Sequence, residues 1–179
     1  MTALLSTYHR AAAGLERADW LIPTLARFLF AAILLVYYLN AGLTKLGEGV
    51  SGLWTPSVGA YAQIWPRVLE NAGYDTEALN LFHHLVVLAG TWAEFILPAL
   101  IVLGLLTRLA ALGMVGFVVM QSLTDIYGLG LGEEMGAWFD RFPDGIILDQ
   151  RALWIFLLLT LVFKGAGPLS FDRALASRG

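Results

Sequence analysis

The sequence predicts an all-α fold: a polytopic membrane four-helix bundle with both termini cytoplasmic. Three observations predict it. Of 179 residues, 58% are hydrophobic and only 14% charged, where a soluble domain carries about 25% charged residues. The mean hydropathy is +0.71. The apolar residues gather in four runs, at about 24–46, 79–106, 109–127 and 150–165, each long enough or nearly so to cross the ~30 Å hydrocarbon core. The basic residues are unevenly placed. Residues 1–27, 107–108 and 164–179 hold seven Lys/Arg and three acids, whereas 45–79 and 125–151 hold four Lys/Arg and ten acids. The positive-inside rule counts the basic residues and places both ends in the cytoplasm of a bacterial inner membrane. The two long acidic loops then face outward. One domain, residues 1–179, is expected.

Composition also excludes chemistry. The chain has no cysteine, so disulfides, thiolate metal sites and Fe–S ligation are absent, and redox work needs a bound cofactor or a partner. The net charge of −3 without a basic patch excludes nucleic acid as a partner. The N-terminus lacks the small-x-small cleavage pattern of a signal peptide. Its first residues, with Arg10, Glu16, Arg17 and Asp19 ahead of Trp20 and Pro23, suit a short interfacial helix.

Span one, LARFLFAAILLVYYLNAGLTKL, keeps its polar residues for its second half. Tyr37, Asn40 and Thr44 share a face by their i, i+3, i+7 spacing, Gly42 permits close helix approach, and Lys45 ends the run. The loop 47–79 carries Trp54, Tyr61 and Trp65 for the headgroup layer, with a short helix expected over 66–71 behind Pro66. Span two contains one carboxylate, Glu94, and Pro98 four residues later. An acid at membrane depth faces a bundle interior or a wet cavity. Pro98 also removes the helical donor for the Glu94 carbonyl and should kink the helix. Glu94 therefore asks for a polar partner, met either by Asn40, Thr44 or Gln121 as structural hydrogen-bonders or by a ligand. Thr107–Arg108 is a minimal connection, making spans two and three an antiparallel hairpin. Span three offers Gly113 and Gly116 as small contact positions and Gln121, Thr124 and Asp125 at its outer end. Lys45 is placed to pair with Asp125. Asp149 suits the N-cap of span four, beside Arg151.

These residues gather into one constellation. Asn40, Thr44, Lys45, His83, Gln121 and Asp125 lie in the outer half with Glu94 beneath them, a polar pocket opening outward. His83 and Glu94 share a helix face but stand about 16 Å apart along the axis, so they mark mouth and floor rather than one metal site. Adjacent His83 and His84 point about 100° apart and form no chelate; no metal ligand set is assigned. Tyr37, Tyr38, Trp92 and Phe95 either pack the core or sandwich a planar ring such as a quinone headgroup.

Three pieces, AGLTKL (41–46), the Glu94 span running into GLLTRLAAL (104–112), and GPLSFDR (167–173), make the chain from about Arg27 to Leu175 resemble the DoxX family of small four-helix membrane proteins. The resemblance implies an accessory or quinone-interacting subunit of a membrane oxidoreductase complex. Relatives act in terminal quinol oxidation and thiosulfate:quinone oxidoreduction; others serve oxidative-stress complexes or accompany copper-responsive peptide maturation. The family's recurrent glutamate and lysine correspond to Glu94 and Lys45. On this reading Glu94 is the proton-carrying catalytic residue, and Asn40, Thr44, Lys45, Gln121 and Asp125 bind the quinone. The absence of cysteine argues against thiol redox in this member. The alternative is a non-enzymatic membrane partner that binds a metal ion, a peptide or another membrane or periplasmic subunit, suggested by the acidic loops. A transporter fits less well, because four helices without a repeat make a conduit only as an oligomer. Whether the chain is an enzyme, and whether it is a homo-oligomer, the sequence leaves open.

Overall fold

The structure is a computed structural model that describes residues 2–177. Its elements are helical throughout the described residues. A first helix, α1 (Thr2–Arg17), precedes the first spanning helix α2 (Leu21–Lys45). Two short helices, α3 (Val58–Ile64) and α4 (Pro66–Asn71), fold the first loop. Three more spanning helices follow, α5 (Leu81–Leu103), α6 (Thr107–Gly128) and α7 (Ile146–Lys164), and then a final turn α8 (Phe171–Ala176). The four long helices are apolar enough to cross a membrane, and the chain is an integral membrane protein set in a lipid bilayer.

The spanning helices pack in sequence order and close the ring, α2 against α5, α5 against α6, α6 against α7, and α7 back against α2. Phe30, Leu34 and Tyr38 of α2 meet Ile101 of α5, Ala110, Ala111, Met114 and Val118 of α6, and Leu158 and Leu161 of α7 in one buried core. The alanines on α6 let its neighbours approach closely where lipid supplies no hydrophobic drive. Gly42 does the same on α2: a Cβ there would stand 2.6 Å from the Phe95 ring. A second, smaller core joins Ala60, Tyr61 and Leu69 of the first loop to Leu79 and Val87. That loop is therefore a folded cap on the outer half of α5. The expected helix at 66–71 forms as α4, with Pro66 at its start.

Several expected boundaries move. Span one starts at Leu21, with Pro23 inside its first turn, and carries a π turn at Ala31–Leu35. Span four starts at Ile146 rather than 150, so Asp149 is not its N-cap; its carboxylate lies within the first turn and accepts from the Gly145 N–H at 2.9 Å. The α5–α6 connection is Gly104–Leu106, and Thr107 already belongs to α6. Helix α5 runs continuously through Pro98 from its Asn80 cap to Gly104.

Three charged side chains tie the helix ends on the side that carries both chain ends. Arg27 donates from Nε to the Ile101 carbonyl at 3.0 Å and from Nη2 to that of Val102, two of the last carbonyls of α5. Its Nη1 donates to Ala166 (3.0 Å) and Leu169 in the segment after α7. Arg108 donates to the Val162 and Phe163 carbonyls at the end of α7, at 2.8 and 3.0 Å. Asp172 accepts from the N–H groups of Leu106 (2.7 Å) and Thr107 (3.0 Å) at the start of α6. Each charge sits on the helix end whose dipole and unpaired backbone groups call for that sign. Gly104 is needed here twice over. Its φ is +70°, and a Cβ would lie 2.6 Å from Ser170 and 2.8 Å from the Arg27 guanidinium.

Burial alone would raise the Asp172 carboxyl, but the Thr107 and Leu106 N–H groups and Arg27 outweigh it and hold it below the ordinary carboxylate range. A depressed carboxylate contributes stability that is complete above about pH 4 and is lost as pH falls through its lowered value. Thermal unfolding of purified protein from pH 6 downward should therefore show an acid-side loss of stability that Asp172→Asn reduces. An unchanged acid limb in the variant would assign that loss to other carboxylates.

Candidate functional site

The deepest polar feature is an ion pair. Lys45 is the last residue of α2, and its side chain turns back toward the bundle, as helical side chains do when they lean toward their own N-terminus. Glu94 on α5, running the opposite way, leans to meet it. The Lys45 Nζ donates to both Glu94 oxygens at 2.9 Å and to the Ala41 carbonyl at 3.3 Å. Both residues are buried, Lys45 at 5% and Glu94 at 4% exposure. The three contacts match the three hydrogens of an ammonium group. This corrects the expected Lys45–Asp125 pair. Asp125 instead accepts from Arg151 of α7, whose other Nη donates to Ser122 Oγ at 3.1 Å. Two charge pairs thus lie inside the bundle, and neither leaves an acid uncompensated.

The Lys45–Glu94 pair lines a cavity of about 500 Å³. One wall is α5, with Val86, Ala89, Gly90, Glu94 and Leu97; the other is α6, with Gly113, Gly116, Phe117, Met120, Gln121, Thr124 and Asp125. Gln63, Ile64 and Trp65 of the folded loop roof it. Glycines give it width. A Cβ at Gly116 would meet nothing within 4 Å, while at Gly113 it would touch Leu97 at 3.2 Å and at Gly90 Ile64 at 3.1 Å. Gly113 is therefore the small contact position that the sequence suggests, against Leu97 of α5, whereas Gly116 faces the open groove. Ala89, Gly113, Gly116 and Met120 are exposed along that groove, so the opening faces sideways between two spanning helices.

Of the residues singled out in the sequence, Glu94, Lys45, Gln121 and Asp125 come together around this cavity. Asn40 and Thr44 do not. Both are exposed on the outer surface of α2, and the Thr44 hydroxyl turns back to the Ala41 carbonyl at 2.7 Å. Asn40 and Thr44 thus stand away from the cavity, while Tyr37 reaches Gln121 in its wall. Gln121 donates from Nε2 to the Tyr37 hydroxyl at 2.9 Å, and its Oε1 is buried without a partner. Because a hydroxyl donates or accepts equally well, one half of that amide is left over whichever way it is turned.

The aromatic residues are packing, not a sandwich. Tyr37 and Tyr38 meet each other and Trp154 in edge-to-face or tilted contacts, Trp92 packs on Trp54 and Phe95, and none of the four lines the cavity. His83 does not mark the cavity mouth either; its ring lies 5.1 Å from Trp65, edge to face. At His84, Nδ1 pairs with the Tyr61 hydroxyl at 2.7 Å and Nε2 with the Leu79 carbonyl at 3.2 Å. A carbonyl only accepts, so Nε2 carries the proton and Nδ1 takes the one Tyr61 donates. Burial pushes the Tyr61 hydroxyl up from its ordinary value, which keeps it a donor. Both nitrogens of His84 are thus engaged, and among the described residues no group of three His, Asp or Glu is placed to hold a metal ion.

Chemically, the cavity offers an apolar slot with an ammonium–carboxylate pair in its wall and one unsatisfied amide end. By giving up its longest contact, the 3.3 Å bond to the Ala41 carbonyl, the ammonium can donate to a ligand oxygen, and the carboxylate can take a proton from a ligand hydroxyl without leaving the bundle. Gln63 in the roof carried no signal in the sequence, and Trp65 was expected in the headgroup layer rather than over a cavity, because a loop residue's fold onto a helix leaves no periodic pattern. No family model matches the chain, and neither the curated proteins nor the solved structures contain a match to it.

Proposed function

We propose that this chain is a DoxX-like quinone-interacting subunit of a membrane oxidoreductase complex, with the groove between α5 and α6 as its ligand site. The observation that carries the reading is the buried Lys45–Glu94 pair in the wall of a mainly apolar cavity open along two spanning helices. A lipid-soluble ligand enters such a groove from the bilayer, and its polar head finds hydrogen-bonding groups at the deep end. The groups fit a quinone: apolar walls for ring and tail, Lys45 as donor to one carbonyl oxygen, and the Gln121 amide, turned so that its Oε1 accepts from the Tyr37 hydroxyl and its Nε2 faces the ligand, as a second donor. When bound, the quinone supplies the electron-accepting chemistry that a chain without cysteine lacks. Lys45 holds and polarises the oxygen; Glu94 accepts or returns the proton. Electrons come from a partner subunit, and the acidic outer loops are the face available to it. The basic bias of the chain-end side supports a cytoplasmic position for it in a bacterial inner membrane.

The test is extraction. Protein purified into native nanodiscs should retain near-stoichiometric quinone, and Glu94→Gln and Lys45→Ala should lose most of it. Equal retention by wild type and both variants removes the assignment.

A further inference from the structure

A second feature lies on α2, away from the groove between α5 and α6. Asn40 is exposed, and among the described residues its amide makes no hydrogen bond. Its depth is set by its neighbours: Gly42 packs against Phe95 in the middle of α5, and the Tyr37 hydroxyl bonds Gln121, fourteen residues into α6. Asn40 therefore lies inside the hydrocarbon layer, where lipid offers no partner. Other small polar side chains on these helices solve the problem locally. Thr24, Thr44, Thr91, Ser122 and Thr160 each return a hydroxyl to a carbonyl three or four residues earlier. Asn40 does not.

The residues around Asn40 are shaped for a helix. Ile33, Val36 and Leu43 share its outward face and are 60%, 62% and 59% exposed. With Asn40 they step 33, 36, 40, 43, the three-four alternation of a two-helix seam, in which a single polar residue at a core position fixes register and partner number.

We propose that this face of α2 is a two-fold interface with a second copy of the same chain, joined by a reciprocal Asn40–Asn40 hydrogen bond. An amide both donates and accepts, so two identical amides satisfy each other without any further group. Two copies inserted the same way round are related by an axis along the membrane normal, which sets Asn40 opposite Asn40 at equal depth. A different partner would need its own polar group at that depth; a second copy has it by construction.

The absence of native cysteine makes the test clean. Single variants Val36→Cys and Leu43→Cys on the seam, and Phe156→Cys on the lipid-facing side of α7 (71% exposed), are oxidised in membranes containing this chain as the only overexpressed protein. The seam variants should give disulfide-linked dimer and Phe156→Cys only collisional background. Adding Asn40→Leu to Val36→Cys should lower dimer formation by about tenfold, roughly the equilibrium worth of one interhelical side-chain hydrogen bond. Seam cross-linking no greater than at Phe156, or cross-links to a different protein, overturns the proposal. So does cross-linking unchanged by Asn40→Leu. If that variant fails to fold, the comparison of Val36→Cys with Phe156→Cys decides alone.

Discussion

Glu94→Gln and Lys45→Met should each destabilise the folded bundle by about 3–5 kcal/mol, the usual consequence of stripping one partner from a buried ion pair. The amide of Glu94→Gln keeps the shape of the side chain and one acceptor oxygen but leaves the Lys45 ammonium, 5% exposed, with no counter-charge. Lys45→Met leaves the carboxylate with no cation. The double variant Lys45→Met with Glu94→Met should regain most of the loss, because removing both charges removes the desolvation penalty along with the attraction. Reversible unfolding in detergent or bicelles, run as a double-mutant cycle, reads this directly as a coupling energy. Small, additive losses would mean that water in the cavity solvates the two groups separately, and the site would then be a wet vestibule rather than a paired charge beside an apolar slot.

Arg27→Ala is the second large effect. One guanidinium bonds carbonyls of Ile101, Val102, Ala166 and Leu169, fastening the end of α5 and the segment after α7 to α2. A hydrogen bond to a charged group contributes about 1.5–3 kcal/mol. Four that share one side chain are not additive, so a loss of about 3–5 kcal/mol is expected. Arg27→Lys should recover little, since an ammonium cannot span four carbonyls that a planar fork reaches. Unfolding measurements give the magnitude, and protease cutting near residues 165–170 should accelerate in both variants. Full recovery by lysine would reduce Arg27 to a point charge at the helix ends.

The four spans were legible because membrane solvation writes a long, nearly unbroken apolar run into the sequence. Glu94 stood out for the same reason, as a lone carboxylate in such a run. Its partner did not. Lys45 looks like an end-of-span lysine belonging to the outer surface, and only the opposed lean of side chains on two antiparallel helices brings it inward to Glu94. Asp125 was assigned to the wrong cation because Arg151 was read as flanking span four, whereas the helix starts five residues earlier, at Ile146, and carries Arg151 inside the bundle. Arg27 was missed although it sits within span one, four residues after Pro23; an arginine in an apolar run is the signal that could have found it. The glycines were visible, but whether Gly116 meets a neighbouring helix or empty space depends on how α5 and α6 diverge, which no local pattern encodes.

A lipid-soluble ligand held in the space beside Lys45 and Glu94 is detectable by titrating a short-chain quinone into the protein in nanodiscs. Gly116→Leu is the informative variant, because its side chain projects from a position with nothing within 4 Å and so occupies the slot without displacing backbone or either charge. Binding to wild type should be saturable and should be lost in Gly116→Leu, with the two proteins unfolding at the same temperature within about 2 °C. Equal binding by both, or none by either, would contradict a ligand site there.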